Sequence, residues 1–228
     1  YVASIQKIRF EHKQESVPIL LRCYFSVHEK GQLAWRVINV YGDDADAKNG
    51  AEGDARLKSA RCDIHQFRLN IISPGEFLRY TRDLGASKGV TIILFNADRM
   101  AGRAHVVSAL YHAFRAFERG EAISNTVEME ALLYAAGSRQ CEVGMEFGVH
   151  PGVNRVYLCI CPGSDPVLRD LEQRGVYCNE DDWEQFSGEK QCLLQEIFGI
   201  TDKELAVVGI SRLQDLVIER VALLEVYR

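Results

Sequence analysis

The order of strand-like and helical segments is the feature that most constrains the fold of this chain. Two strand-like runs at 17–27 and 33–41 open it and predict a β-hairpin. Beyond residue 62 helical segments cluster around two apolar strand-like runs, 90–95 and 153–161. A parallel α/β fold would instead alternate strands and helices regularly. The order therefore predicts an α+β fold in which a small mixed or antiparallel sheet is flanked by clustered helices.

Helix start and stop signals set the expected boundaries after residue 62. A Ser-Pro-Gly-Glu run at 73–76 predicts a helix to about Leu84, with Gly85 as its C-terminal cap. Further helices are predicted at 103–119, 126–136, 140–147 and 164–174. The tail is predicted to be helical, with capping boxes starting at Thr201 and Ser211.

The charge of the chain is unevenly distributed. The 228 residues include 27 basic and 32 acidic side chains, and this balance argues against binding nucleic acid by bulk charge. However, residues 42–54 alone hold five acids and one lysine, which accounts for four of the five net negative charges. That segment is small and polar, so it predicts a mobile loop. The remaining chain is nearly neutral and can carry a local basic surface.

The seven cysteines are scattered and odd in number, which predicts reduced thiols in a cytosolic protein. Cys159 and Cys161 share one face of a predicted strand, where they are expected to act as small hydrophobic residues rather than metal ligands. No run is long enough to span a bilayer and no signal peptide is visible, so a cytoplasmic location is expected. Phosphate-binding, dinucleotide-binding, zinc and nucleophile-elbow motifs are absent from the sequence, which removes the simplest enzymatic interpretations.

The predicted helix 103–119 has two contrasting sides. Five apolar residues form the expected core face: Val106, Val107, Leu110, Phe114 and Phe117. Five polar residues form a stripe on the other side: His105, Ser108, His112, Arg115 and Arg119. The stripe contains no acid, so it suits a phosphate-bearing partner. The alternative interpretation is an ordinary solvated helix face.

The predicted helix 126–136 is apolar around its whole circumference, which indicates a buried central helix. Glu130 must therefore be paired or hydrogen-bonded, with Tyr134 as a neighbour; a structural and a functional role both stay open. Ser124 and Asn125 suit N-capping. In the loop 137–140, amide groups at the next helix start are expected to hold a phosphate beside Arg139. The alternative is a Gly-ended helix with an exposed Arg.

Several runs share order and spacing with a known family: Phe95–Asp98, His105, Ala122–Asn125, Met129–Glu130, Ala136–Gln140 and Ile218–Glu225. They resemble the small kinase-regulating, tRNA-binding subunit of the KEOPS complex, related to the PRPK-binding protein, and most of all its archaeal members. The resemblance covers about 90–228 and is most specific over 96–140. Residues 1–61 do not match. Two parts are therefore expected: a divergent extension, 1–61, with a hairpin and an acidic mobile loop, and a regulatory-subunit domain, 62–228.

The resemblance implies a protein that is not an enzyme and needs no cofactor or metal. Members bind a small atypical kinase of the complex, stimulate its ATPase and capture the 3′ CCA tail of tRNA. The complex makes threonylcarbamoyladenosine in tRNA, and a separate subunit performs that chemistry. No residues of the kinase-binding surface are predicted, although that surface is expected to be an exposed apolar helix face.

The candidate RNA contacts combine the resemblance with helix geometry, because a single-stranded tail needs both cationic groups and base-edge partners. They are Arg103, His105, His112, Arg115, Arg119, Asn125, Ser138, Arg139 and Gln140, with Asn96 as a further base-edge donor. Two alternatives remain open. One is a kinase-binding scaffold without tRNA affinity, and the other is an enzyme that uses Glu130 with His105 as an acid–base pair.

Overall fold

The computed structural model describes residues 21–27, 33–39, 62–178 and 183–226. The chain divides into two compact units, Tyr1–Lys58 and Ser59–Arg228. In the first unit, β1 (Leu21–Val27) pairs antiparallel with β2 (Leu33–Asn39), which confirms the two strands of the predicted hairpin. The predicted turn at 28–32 and the acidic segment 42–54 lie outside the described residues, and the division at residue 61 stays a prediction.

In its described residues the second unit interleaves four strands with a larger helical part, which confirms the α+β class. Its strands are β3 (Asp63–Ile71), β4 (Thr91–Asn96), β5 (Gly152–Cys161) and β6 (Gly175–Tyr177). Its helices are α1 (Pro74–Lys88), α2 (Gly102–Arg119), α3 (Val127–Ala136), α4 (Cys141–Met145), α5 (Asp165–Glu172), α6 (Gly188–Phe198), α7 (Asp202–Val208) and α8 (Leu213–Val226). A 3₁₀ turn, Ile210–Arg212, precedes α8.

The four strands form one antiparallel sheet in the order β4-β5-β3-β6. The sequence did not predict β3 or β6. In β3, Ile64 packs on one face of the sheet while Phe67 and Leu69 pack on the other. Phe67, Leu69 and Ile71 alternate with exposed Arg68 and Asn70, so the second half of β3 carries the period-2 pattern of a half-buried strand.

Strands β4 and β5 send alternate side chains into two cores, as expected for a sheet covered on both faces. Ile92 and Leu94 of β4 pack with α1 and α5. Ile93 and Phe95 pack on the opposite face with a larger group of helices that includes α2, α3, α6 and α8. Helix α2 therefore lies inside the helical layer, with contacts to both α3 and α8.

Gly85 does not cap α1, contrary to expectation. The helix continues to Lys88, and Gly89 caps it with a left-handed φ of 68°. Gly85 is buried within the helix, and a Cβ there would lie 2.6 Å from the carbonyl oxygen of Val90. This glycine is needed for the close approach of the chain entering β4, rather than for a turn.

The two predicted capping boxes of the tail have different outcomes. Thr201 and Glu204 form the box at the start of α7, which confirms the prediction. Ser211 lies within the 3₁₀ turn, so the box expected there is wrong. Gln214 instead reaches across to the carbonyl oxygen of Ala101, to which its side-chain amide donates a hydrogen bond of 2.7 Å.

The expectation that all cysteines are reduced is wrong for Cys62 and Cys161, which form a disulfide across 99 residues of chain. The pairing follows from strand register: Asp63 lies opposite Ile160, so the next pair outward brings these two residues together, with Cα atoms 4.2 Å apart. Cys159 is fully buried without a disulfide, as expected of a small hydrophobic residue. Burial raises the pKa of its thiol.

Candidate functional site

The polar stripe of α2 is not an exposed positive surface. His105 has no exposed surface and His112 only 9%. The buried side of α2 is centred on Ala109, Ala113 and Ala116, all at most 1% exposed. Alanine allows neighbouring helices to approach closely, so the closest packing occurs there rather than at the bulky residues.

The expected core face was therefore rotated from the observed one by about a quarter of a turn. Val106 and Leu110 are buried as predicted, but Phe117 is 36% exposed. Both histidines of the stripe fall on the edge of the true buried side. Because α2 is covered on two sides, it buries a wider arc of its surface than a helix that packs on one side only. This explains why the predicted core face was misplaced.

His105 is held by two backbone groups. Its Nδ1 accepts a hydrogen bond of 3.1 Å from the Ala101 N–H, so Nε2 carries the proton and donates to the Ala135 carbonyl at 2.9 Å. Burial lowers the pKa of His105 to about 3, while the bond to Ala135 opposes the shift. The residue is a neutral link between the start of α2 and the end of α3.

His112 and Arg115 are both paired with Glu225 of α8. His112 Nδ1 and Arg115 Nη2 each lie 3.1 Å from a Glu225 carboxylate oxygen. Burial opposes ionisation of Glu225, but the hydrogen bond from His112 and the charges of both partners lower its pKa overall. The acid comes from a helix more than a hundred residues further along, so the stripe looked uncompensated in the sequence.

Glu130 is fully buried and hydrogen-bonded, which confirms the requirement placed on it. Its Oε2 accepts hydrogen bonds from the backbone N–H groups of Ile123 and Ser124, at 2.9 and 2.8 Å. The carboxylate thereby fixes the loop that enters α3. Thr126, rather than Ser124 or Asn125, caps that helix by accepting from the Met129 N–H.

The buried positions of Glu130 and His105 do not provide an accessible acid–base pair. Both side chains have 0% relative exposure and bind backbone groups. A general acid or base must reach a bound substrate, directly or through one water. The geometry therefore gives these two residues a structural role.

In the loop 137–140 three backbone amides are already paired within the chain, and the phosphate expected at the start of the next helix stays a prediction. The N–H groups of Gly137 and Ser138 donate to carbonyls of α3, and the Gln140 N–H donates to Ser138 Oγ. Helix α4 has only five residues. What this loop offers to a ligand is the exposed side chains of Arg139 and Gln140.

The exposed members of the candidate set lie at opposite ends of the α2–α3 pair. His105 contacts Ala135, so the two helices run antiparallel. Arg119 and Asn125 flank their connection. Arg139 and Gln140, together with half-buried Ser138, follow the far end of α3, about 15 Å away along its ten residues.

Two other candidates take part in local structure. The Arg103 residue is exposed, but its Nη1 donates to the Ile64 carbonyl of β3 at 2.9 Å. Asn96 is buried, and its Oδ1 accepts a hydrogen bond of 3.0 Å from the Asp98 N–H. Asn96 Oδ1 therefore shapes the turn after β4, and the base-edge contact expected of its side-chain amide stays a prediction.

A polar group that the sequence did not single out lies at the start of α2. Glu184 Oε1 accepts from the Arg103 N–H at 2.7 Å, so a distant carboxylate caps a helix whose own N-cap residue is Ala101. Burial lowers the pKa of nearby Lys190 to about 8, and its Nζ donates to the Ala97 carbonyl at 2.8 Å. The sequence carries no signal for this contact, since no capping motif links positions 81 residues apart.

Neither a metal-binding cluster nor a membrane-spanning helix occurs among the described residues. No group of three or more His, Cys, Asp or Glu side chains among them is arranged to hold a metal ion. None of the helices in the described ranges is long and apolar enough to cross a bilayer.

The described fold is an α+β domain with a helical layer organised around α2 and with buried, structurally engaged His105 and Glu130. The profile of the family described as "Kinase binding protein CGI-121" matches residues 76–225. The chain belongs to this family, which is the one indicated by its motifs. No match was found in a comparison with curated proteins.

Proposed function

We propose that the chain is a non-catalytic subunit of the KEOPS complex that binds the small atypical kinase of that complex and the 3′ CCA end of tRNA. In this role it supports formation of threonylcarbamoyladenosine in tRNA, in the cytoplasm. The observation that carries the proposal is the family match over 76–225, because the family is described as kinase-binding. The motif series around His105 and Glu130 lies inside that match.

The kinase contact is assigned to the end of α7 and the turn after it. Val207, Val208 and Ile210 are 85%, 42% and 51% exposed, and they lie close together in sequence around Gly209. Neighbouring exposed apolar side chains are typical of a protein-binding surface. This group also lies within the residues that match the family.

The kinase contact is tested by calorimetric titration of the purified kinase with wild type and with the double variant Val207→Asp/Ile210→Asp. We expect affinity to fall at least tenfold, because charges would be buried at the contact. The control is Ile72→Asp, which places a charge at a residue that is 92% exposed outside α7. If the double variant binds the kinase as tightly as the Ile72→Asp control does, the kinase contact does not lie at α7. If wild type does not bind the kinase, the proposed kinase-binding role is wrong.

The tRNA contact is assigned to the exposed candidates rather than to the whole stripe. Arg139 and Gln140 provide a cation and an amide at one end of α3, and Arg119 and Asn125 provide the same pair of chemistries at the other. A CCA tail needs phosphate partners and base-edge hydrogen bonds together. Each end of α3 offers a cation for phosphate and an amide for base-edge hydrogen bonds.

Charge reversal separates these two ends. Arg139→Glu and Arg119→Glu are compared in a binding titration with intact tRNA and with tRNA trimmed of its CCA. The end that holds the tail is the one whose variant loses the preference for intact tRNA. The matched control is Arg82→Glu, an exposed arginine on α1, across the sheet from α2 and α3.

A second candidate function is a kinase-binding scaffold without tRNA affinity of its own. The pairing of Glu225 with His112 and Arg115 favours it, since it neutralises the most basic part of α2. This candidate predicts wild-type affinity for the kinase and no measurable binding of tRNA by the isolated chain.

A further inference from the structure

A single carboxylate, that of Glu225 on α8, covers the inner part of the basic stripe on α2. Its two oxygens each lie 3.1 Å from a nitrogen of the stripe, one from His112 Nδ1 and the other from Arg115 Nη2. The side chains of His112, Arg115 and Glu225 are 11%, 16% and 19% exposed, so this cluster lies just below the surface. Arg119 follows one helical turn after Arg115 and is exposed. Without the Glu225 carboxylate, these cations would form one continuous basic surface.

The contact between Arg115 and Glu225 is incomplete. Glu225 Oε1 faces Arg115 Nη2 without forming a hydrogen bond, and Arg115 Nε forms none either, although both of these atoms are buried. A buried polar atom without a hydrogen-bond partner lowers stability. An arginine binds an anion best when two of its N–H groups donate side by side. The carboxylate therefore occupies the Arg115 guanidinium without using its full binding capacity.

The position of Glu225 along α8 also weakens its hold. Glu225 lies in the last turn of the helix Leu213–Val226, and this turn contains no basic residue. A helix C-terminus carries partial negative charge, so a carboxylate there is disfavoured. The last carbonyl groups of a helix have no partner within the helix, and terminal turns open at low free-energy cost. Opening one turn of α8 is therefore enough to release the basic cluster.

We propose that Glu225 is an internal competitor for an RNA phosphate, and that bound tRNA displaces it from His112 and Arg115. The inference deepens the proposed function and rests on its tRNA part. Each phosphate of an RNA strand carries a full negative charge, and the flexible strand allows it to align with two N–H groups of Arg115 at once. The contact with Glu225 is thus autoinhibitory: it neutralises the cluster until RNA replaces the carboxylate.

The surroundings of Arg115 favour an RNA strand over an acidic segment of a partner protein. The guanidinium carbon of Arg115 lies 5.7 Å from the ring centre of half-buried Tyr111, and Arg115 Nη1 donates to the Tyr111 hydroxyl at 3.3 Å. Single-stranded RNA brings a base next to each phosphate, and proteins hold such strands with cations beside aromatic side chains. An acidic peptide has no use for the ring.

The size of the expected effect follows from the competition. RNA binds only the open form, so its apparent affinity is reduced by the fraction of time in which the site is open. If the carboxylate occupies the cluster for about nine-tenths of the time, removing its charge raises the affinity about tenfold. Glu225→Gln removes the charge but keeps the size of the side chain and an oxygen that accepts from His112.

The test is a fluorescence-anisotropy titration of labelled tRNA with wild type, Glu225→Gln and the matched control Glu219→Gln. Glu219 lies on the same helix, and its replacement removes the same charge. We expect about tenfold tighter binding by Glu225→Gln and less than about a twofold change by the control. Adding Arg115→Gln to Glu225→Gln should remove the gain, because the gain depends on that guanidinium.

Each remaining result decides for or against the inference. Unchanged or weaker binding by Glu225→Gln, while wild type binds tRNA, overturns the inference and leaves the proposed function standing. Equal gains in the two glutamine variants overturn it as well, because they identify a general charge effect. Binding by Glu225→Gln when wild type binds no tRNA supports the competition. No binding by either protein overturns both the inference and the proposed tRNA role.

A second measurement applies if Glu225→Gln does not fold, as judged by circular dichroism. In wild type, the ring ¹⁵N signals of His112 report its hydrogen bond to Glu225. Displacement of the carboxylate requires these signals to shift when tRNA is added. Unshifted signals at saturating tRNA would overturn the inference, while the bound tRNA would keep the proposed function standing.

Discussion

Replacing buried His105 is expected to remove a specific part of the acid sensitivity of this protein. In the unfolded chain its pKa is the ordinary 6.5, whereas in the folded chain burial lowers it to about 3. Between these two values the unfolded state binds a proton that the folded state does not. The free energy of unfolding therefore decreases as pH falls from about 6.5 toward 3.

The magnitude follows from the pKa difference. One pKa unit corresponds to about 1.36 kcal/mol. At pH 5, which is about 1.5 units below the pKa of His105 in the unfolded chain, this residue lowers the free energy of unfolding by about 2 kcal/mol relative to pH 7.5. His105→Gln keeps both an acceptor for the Ala101 N–H and a donor for the Ala135 carbonyl, but it cannot titrate.

The assay is urea unfolding of wild type and His105→Gln at pH 7.5 and pH 5. Both proteins lose stability on acidification, because their carboxylates titrate alike, but wild type should lose about 2 kcal/mol more. The ¹⁵N shifts of the ring should show a neutral, Nε2-protonated imidazole at pH 5. Equal losses in the two proteins, or a charged ring at pH 5, would refute the reasoning.

Three further predictions concern individual contacts within the second unit. Glu184→Ala should lower the free energy of unfolding by about 1–2 kcal/mol in denaturant titrations, because it removes the cap of α2; a loss within error would contradict that role. Glu130→Ala should lower it by about 2–4 kcal/mol, and Glu130→Gln by less, because an amide oxygen can still accept from the loop N–H groups; equal losses would argue against the hydrogen bonds. Peptide mapping without reductant should recover Cys62 linked to Cys161, and reduction should destabilise the protein by about 2–4 kcal/mol; recovery of both as free thiols would contradict the disulfide.

The sequence predicted most of the helices because their signals are local. A cap, an apolar period and a terminal glycine all lie within one segment, as at Thr201 and Glu204. It missed β3, although Phe67, Leu69 and Ile71 alternate with exposed Arg68 and Asn70. The alternating run is only five residues long, and Ile64, which packs on the opposite face, does not extend it.

The candidate site was predicted less well, for a physical reason that α2 illustrates. Helical periodicity places His112 and Arg115 on one side, but it does not reveal what covers that side. Glu225 pairs with both of them from α8, and Ala109 rather than Phe117 marks the centre of the buried face. Long-range pairing and the close packing of small residues leave no trace in local spacing.

The central claim is that this kinase-binding family member also holds the 3′ end of tRNA. It is tested most directly by an electrophoretic binding titration of the purified chain with intact tRNA and with the same tRNA lacking CCA. We expect salt-sensitive binding that weakens at least tenfold when the CCA end is removed. Equal affinity for the two RNAs, or no binding of either, would contradict it.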